Sequence, residues 1–355
     1  MARRARRYGF GGDSGSFALV AATVAAVVLL GACGGTSGSA SSHGATLTLY
    51  SGQHPETTSA VVAAFERQTG IHVSVRSGDE NSLAQEIEQE GSNSAADVVY
   101  TENSPALMSL QQKGLLEALP TSILGTVPAK YDSPAGDWVG VSARASVLVY
   151  NTSRVASSEL PTSVMDLADA RWKGKLALAA TETDFEPVIT SIAKSRGEAA
   201  ALAWLKAVRF NASSHIEPNN EALVGDVNDG QAAIGIVDHY YWYRLAKDVS
   251  ASSVHSKIAY LAPQDPGYVV DVSGAAVLKS SRHRAEAESL VAFMVSAAGQ
   301  QALVSSNSFE YPLAPGSADP PGLLPFAALQ PAPVSVADLG DGSVALKLLQ
   351  QAQLV

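Results

Sequence analysis

Short apolar runs alternate with segments of helical spacing along most of this chain. Thr46-Leu47-Thr48-Leu49-Tyr50 alternates with period two, the mark of a half-buried strand. Residues 57–68 follow with Val61, Val62 and Phe65 on one helical face, and Gly70 closes that helix. Residues 71–75 predict a second strand, 83–90 a helix, and 96–100 a third strand. Pro105 then opens a helix that ends near Gly114, with proline early and glycine late as helix ends prefer. The second half continues in this style. Strands are predicted at 175–179 and 232–237, and helices at 198–208, 221–228, 284–298 and 344–353. Such alternation predicts an α/β layer fold with a largely parallel sheet.

Two apolar extended segments, 146–150 and 269–278, could cross between domains. Two crossings imply discontinuous lobes joined by a hinge: 46–147 with 271–322, and 148–270 with 323–355. The absence of any recurring period argues against a solenoid.

The first residues belong to a different class. Arg3, Arg4, Arg6 and Arg7 precede an uncharged apolar stretch from Phe17 to Leu30, so 1–32 reads as a signal peptide. Its end, Leu30-Gly31-Ala32-Cys33, resembles a bacterial lipobox, which implies a lipid on Cys33. Residues 33–45, rich in Gly and Ser, would tether the domain to the outer face of the cytoplasmic membrane, or the protein would be periplasmic. Cys33 is the only cysteine, which leaves no internal disulfide and no cysteine-based metal site. Of 24 basic and 34 acidic residues, four Arg and Asp13 fall in the leader, so the remainder carries a formal charge of −13. That surface disfavours nucleic acid and tolerates a cationic ligand.

In open α/β sheets, ligands bind beyond the carboxyl ends of strands. His54 follows the first predicted strand, Glu102 the third, and Tyr240 and Tyr241 the run 232–237. Adjacent tyrosines at a strand end can aim two phenol oxygens at one point. Phenolate is a hard donor suited to hard cations such as ferric iron. Each residue also has a plainer reading. A Tyr-Tyr pair alone is more often packing, His54 could cap the helix at Pro55, and Glu102 could favour a helix N-terminus by charge. If strand geometry continues past Val237, His239 points away from the tyrosines. Arg244 could steady an anion or pair with a surface acid, whereas His215, His255 and His283 lack metal spacing.

These residues lie in a wider pattern. Tyr50-Ser51-Gly52-Gln53-His54, the run 97–107, Arg171-Trp172-Lys173-Gly174-Lys175, Tyr240-Tyr241-Trp242, the run 273–279 and Glu310-Tyr311-Pro312-Leu313 together resemble bacterial ferric-binding proteins of the two-lobed type II periplasmic fold. The resemblance covers nearly all of the chain after its leader. It implies an α/β fold with two crossover hinge strands, and a receptor that hands iron(III) to an ABC permease and its ATPase. It implies His54, Glu102, Tyr240 and Tyr241 as metal ligands, and no enzymatic activity.

The chain departs from that family at one place. Many members add a phosphate or carbonate held by small neutral residues. Here Glu182-Thr183-Asp184 stands at that stretch and Asp238 where Asn is usual, while Asn103 and Asn220 remain polar partners. Less dependence on a synergistic anion is therefore expected, with Asp184 or Asp238 near the metal or its waters. Other readings are a type II receptor for a polyamine or phosphonate, or a secreted non-haem iron enzyme. The mature sequence has no nucleophile elbow, His-Glu-x-x-His or P-loop motif to support the last.

Overall fold

The computed structural model describes residues 46–355. The signal peptide, Cys33 and the 33–45 tether lie outside the described residues. Nine strands form among them: β1 Thr46–Ser51, β2 His72–Ser77, β3 Val98–Thr101, β4 Val139–Asn151, β5 Leu176–Ala177, β6 Ile234–Asp238, β7 Ser256–Ala259, β8 Val270–Val277 and β9 Tyr311–Pro312. The helices are α1 Pro55–Thr69, α2 Glu80–Glu90, α3 Ser104–Gln112, α4 Thr121–Leu124, α5 Phe185–Arg196, α6 Glu198–Ala212, α7 Asn220–Asn228, α8 His239–Asp248, α9 Arg284–Met294, α10 Ala297–Ser305, α11 Val336–Leu339 and α12 Ser343–Gln351.

The strands run β2-β1-β3-β8-β4-β6-β5, with β7 and β9 also on β4. Local chemistry sets the first elements. Pro55 starts α1, whose face of Thr57, Thr58, Val61, Val62 and Phe65 is buried, and Gly70 ends it in the left-handed region at φ 74°. Asp79 caps α2 by accepting the Ser82 N–H at 2.8 Å.

The expectation of a largely parallel sheet is corrected. Only β1–β2, β1–β3 and β5–β6 are parallel. The ladders of β8 with β3 and β4, and of β6, β7 and β9 with β4, are antiparallel. The cause is the pair of long strands that traverse the molecule. β4 pairs with β8 through Val139–Ala145 and then with β6 from Ser146, so one strand serves two sheets. All thirteen of its residues are buried. The run predicted at 146–150 is therefore only its second half.

Other boundaries also shift. The helix predicted at 284–298 is two, because Ser296 caps α10 by accepting the Gly299 N–H at 3.2 Å. A Cβ at Gly299 would lie 2.0 Å from the Phe293 carbonyl oxygen, so the tight junction requires glycine there. The strand predicted at 175–179 shortens to β5 plus a bridge from Leu178 to Ile216. Among the described residues no helix is long and apolar enough to cross a membrane.

Candidate metal centre

β1 ends one turn short of His54, which occupies the N-cap position of α1 without capping it. Its Nε2 instead lies 2.9 Å from Glu102 Oε1 and 3.3 Å from the Tyr240 hydroxyl. Glu102 stands just past β3. Its N–H and that of Asn103 donate to Glu80 Oε2 at 2.7 and 2.8 Å, and Asn103 Nδ2 donates to Glu80 Oε1 at 3.1 Å. A buried carboxylate at the start of α2 thus grips the Glu102 loop from beneath. Gly52 allows this approach, since a Cβ there would meet the Glu80 Cβ at 2.4 Å.

The two tyrosines do not extend a strand. β6 ends at Asp238 and α8 begins at His239, so both tyrosines lie in the first turn of a helix. Their rings stack obliquely with centroids 4.2 Å apart, and both side chains are buried. The Tyr240 hydroxyl donates to Glu102 and lies 3.3 Å from Asp184 Oδ2. The Tyr241 hydroxyl donates to Asp184 Oδ2 at 2.7 Å and lies 3.5 Å from Glu102 Oε1. His239 is directed elsewhere, accepting the Ala145 N–H and donating to the Phe309 carbonyl at 2.8 Å. The helix, not strand alternation, separates it from its neighbours.

The remaining candidates divide into two groups. Asn103 Nδ2 and Asn220 Nδ2 hold the two Asp184 oxygens at 2.8 and 2.9 Å, so all three residues belong to the cluster. Asp238 is buried but faces Arg144, with Oδ2 4.0 Å from its Nε. Arg244 places its guanidinium 5.1 Å from the Tyr240 ring centroid, a cation–π contact. Folding also brings His215 beside Glu217 and Asp226, with potential ligand atoms within 4.8 Å of one another. Their sequence spacing concealed this because Asp226 arrives from α7.

Sequence reasoning missed Glu80, Arg144 and Glu310. The fully buried Arg144 reaches Asn103 Oδ1 at 3.3 Å and lies 5.6 Å from the Tyr240 ring centroid. Its Nη2 is 3.0 Å from Glu310 Oε2, an ion-pair distance without hydrogen-bond alignment. A lone arginine in an apolar strand was the available signal, because a buried charge requires partners.

Burial, then repulsion from Asp184 and Glu102, raises both phenols well above their ordinary range. Burial and Glu102 also raise Asp184. Burial alone would raise Glu102 and lower His54. Their mutual attraction outweighs it, holding Glu102 down and His54 up. Four hard oxygens and an imidazole nitrogen therefore converge, with protons bridging several of them. Such a donor set fits a small, highly charged cation that would displace those protons. The side chains of His54 and Glu102 retain 15% and 13% exposure. A cavity of about 680 Å³, lined in part by His54, Tyr241, Arg244 and Lys247, opens beside them.

Residues 93–332 match the family of bacterial extracellular solute-binding proteins. The chain is 38% identical over 310 residues to the major ferric iron-binding protein of Neisseria meningitidis serogroup B, covering 87% of this chain and 93% of that one. It is 35% identical over 309 residues to the Fe(3+)-binding periplasmic protein of Serratia marcescens, covering 87% and 90%. Among solved structures, iron-bound HitA from Pseudomonas aeruginosa superposes with a TM-score of 0.82 at 41% identity, over 86% of this chain and 99% of HitA.

Proposed function

This chain belongs to the bacterial extracellular solute-binding protein family, and from that premise we propose that it captures ferric iron and delivers it to an ABC importer. His54, Glu102, Tyr240 and Tyr241 are the ligands in this reading. Lobes 46–147 with 271–322 and 148–270 with 323–355 close on the ion. A signal peptide at 1–32 and a lipid on Cys33 keep the protein on the outer face of the cytoplasmic membrane.

The observation that carries the reading is the meeting of two phenol oxygens with an imidazole and a carboxylate across separate strand ends, with contacts of 2.9 to 3.5 Å around them. Glu102 and two phenolates would supply three negative charges against the ion's three positive ones. We assign the protein no reaction, because the relatives it matches over most of its length are named as iron-binding proteins.

Phenolate bound to ferric iron produces a visible charge-transfer band. Adding ferric citrate to iron-free protein should turn it reddish. Tyr240→Phe with Tyr241→Phe should abolish the colour and weaken binding by at least about 10⁴-fold. A wild-type protein that stays colourless and binds a polyamine or a phosphonate would overturn the assignment.

A further inference from the structure

The triad of His215, Glu217 and Asp226 has no part in the iron centre. All three residues are half-buried, and their potential ligand atoms lie within 4.8 Å of one another. Two of the donors are carboxylates and the third is an imidazole.

The backbone sets this meeting. The Leu178 N–H donates to the His215 carbonyl at 3.0 Å, and the Glu217 N–H donates to the Leu178 carbonyl at 2.7 Å. Residues 215–217 thereby join the sheet just past β5, through a parallel bridge at Ile216. Side chains alternate along such an extended segment, so His215 and Glu217 project to one side and Ile216 to the other. Asp226 reaches them from α7, whose Leu223, Val224 and Val227 are buried. Its carbonyl accepts the Gln231 and Ala232 N–H groups at 2.8 and 3.2 Å, which anchors that end of the helix. Two elements, each held by its own backbone and core contacts, therefore present the three donors.

The chemistry of the donors selects the ion. Burial raises the Glu217 carboxyl most, the Asp226 carboxylate raises it further, and His215 opposes them with no help from Lys or Arg. A divalent cation would neutralise both acids. Tetrahedral donors about 2.1 Å from zinc stand about 3.4 Å apart, so rotation of these side chains need close no gap by more than about 1.4 Å. Three protein donors leave the fourth position to water. Imidazole beside carboxylate suits a first-row divalent ion, whereas Ca²⁺ and Mg²⁺ take oxygen donors.

We propose that His215, Glu217 and Asp226 form a second metal site, which takes a first-row divalent cation of the Zn²⁺ kind and shares no donor with the iron centre. The ion clips α7 to the segment beside β5 across the stretch 218–225.

Dialysis of untagged protein against radiolabelled Zn²⁺, both iron-free and after loading with ferric citrate, tests this. Zinc entering the iron centre is common to wild type and variants, so the readout is the difference between them. Wild type should hold one zinc that His215→Ala binds at least about tenfold more weakly. Zn²⁺ should raise the melting temperature of wild type by a few degrees, Mg²⁺ should not, and His215→Ala should lose the rise. Asp226→Asn, close to isosteric, should behave alike, and it decides the matter if His215→Ala fails to fold. The proposal is overturned if wild type binds no more zinc than the folded variants, or if Mg²⁺ raises its melting temperature as much as Zn²⁺ does. Both variants should keep the wild-type colour with ferric citrate, so this site and the iron centre fail separately.

Discussion

On the β1–β3 side of the site, His54 and Glu102 stand at 2.9 Å as an ion pair, on a loop gripped by Glu80. On the β6 side, Tyr240 and Tyr241 lie ring against ring in the first turn of α8, and their oxygens donate hydrogen bonds to carboxylates. The first side favours charge separation before any ion arrives, with His54 held up and Glu102 held down by their contact. The second carries protons that an ion must expel, because its phenols are raised by burial and by neighbouring acids. Geometry is therefore fixed mainly on one side, and sensitivity to acid resides mainly on the other.

The largest expected effect concerns acid. If two phenol protons compete with iron, affinity should fall by about 100-fold for each pH unit between about pH 8 and 6. His54, held above its ordinary value, steepens the fall near the lower end. Titrating iron at several pH values gives the slope. A slope of one proton or less would break the comparison.

A smaller effect should come from the opposite side. Glu80→Ala leaves the N–H groups of Glu102 and Asn103 without their acceptor. Iron affinity should drop by about 10- to 100-fold, as when a ligand's support is removed. The pH slope should remain that of wild type, since Glu80 touches neither phenol. A changed slope would show that the two sides do not divide the work in this way.

The smallest effect appears without iron. Asp132, Glu182 and Glu186 are each raised to about 7, chiefly by burial. A folded-state value above the unfolded one stabilises the protein fully below about pH 4 and is lost as pH rises through 7. Iron-free protein should therefore melt a few degrees higher at about pH 5 than at about pH 8. Glu102, held down at about 2, loses its stabilising contribution only in stronger acid, below about pH 4, outside this range. A melting temperature that climbs steadily toward about pH 8 would show that these three carboxyls do not set the balance.

Much of the fold was legible because its signals are local. Residues 46–112 carry their own punctuation in Pro55, Gly70 and Pro105, and the predicted elements there form within a few residues of the expected bounds. α5 escaped notice because Pro187 and the β-branched Val188, Ile189 and Thr190 weaken its helical signature. The first half of β4 was missed because Gly140, Ser142 and Arg144 interrupt its apolar run, although all three are buried. At the site, the resemblance named His54, Glu102 and the tyrosines, and folding brings them together. Glu80 gave no local sign because its partner Asn103 lies on another element, and Arg144, whose lone charge in an apolar strand was a sign, gave no hint of its distant partner Glu310.

β3 completes its hydrogen bonding only against β8, and Ser273 donates to the Thr101 carbonyl across 172 positions. A ribosome must therefore emit most of the polypeptide before the earliest sheet acquires its last neighbour. Such distant closure slows folding, and because β4 is shared, neither half offers a finished unit that could set ahead of the other.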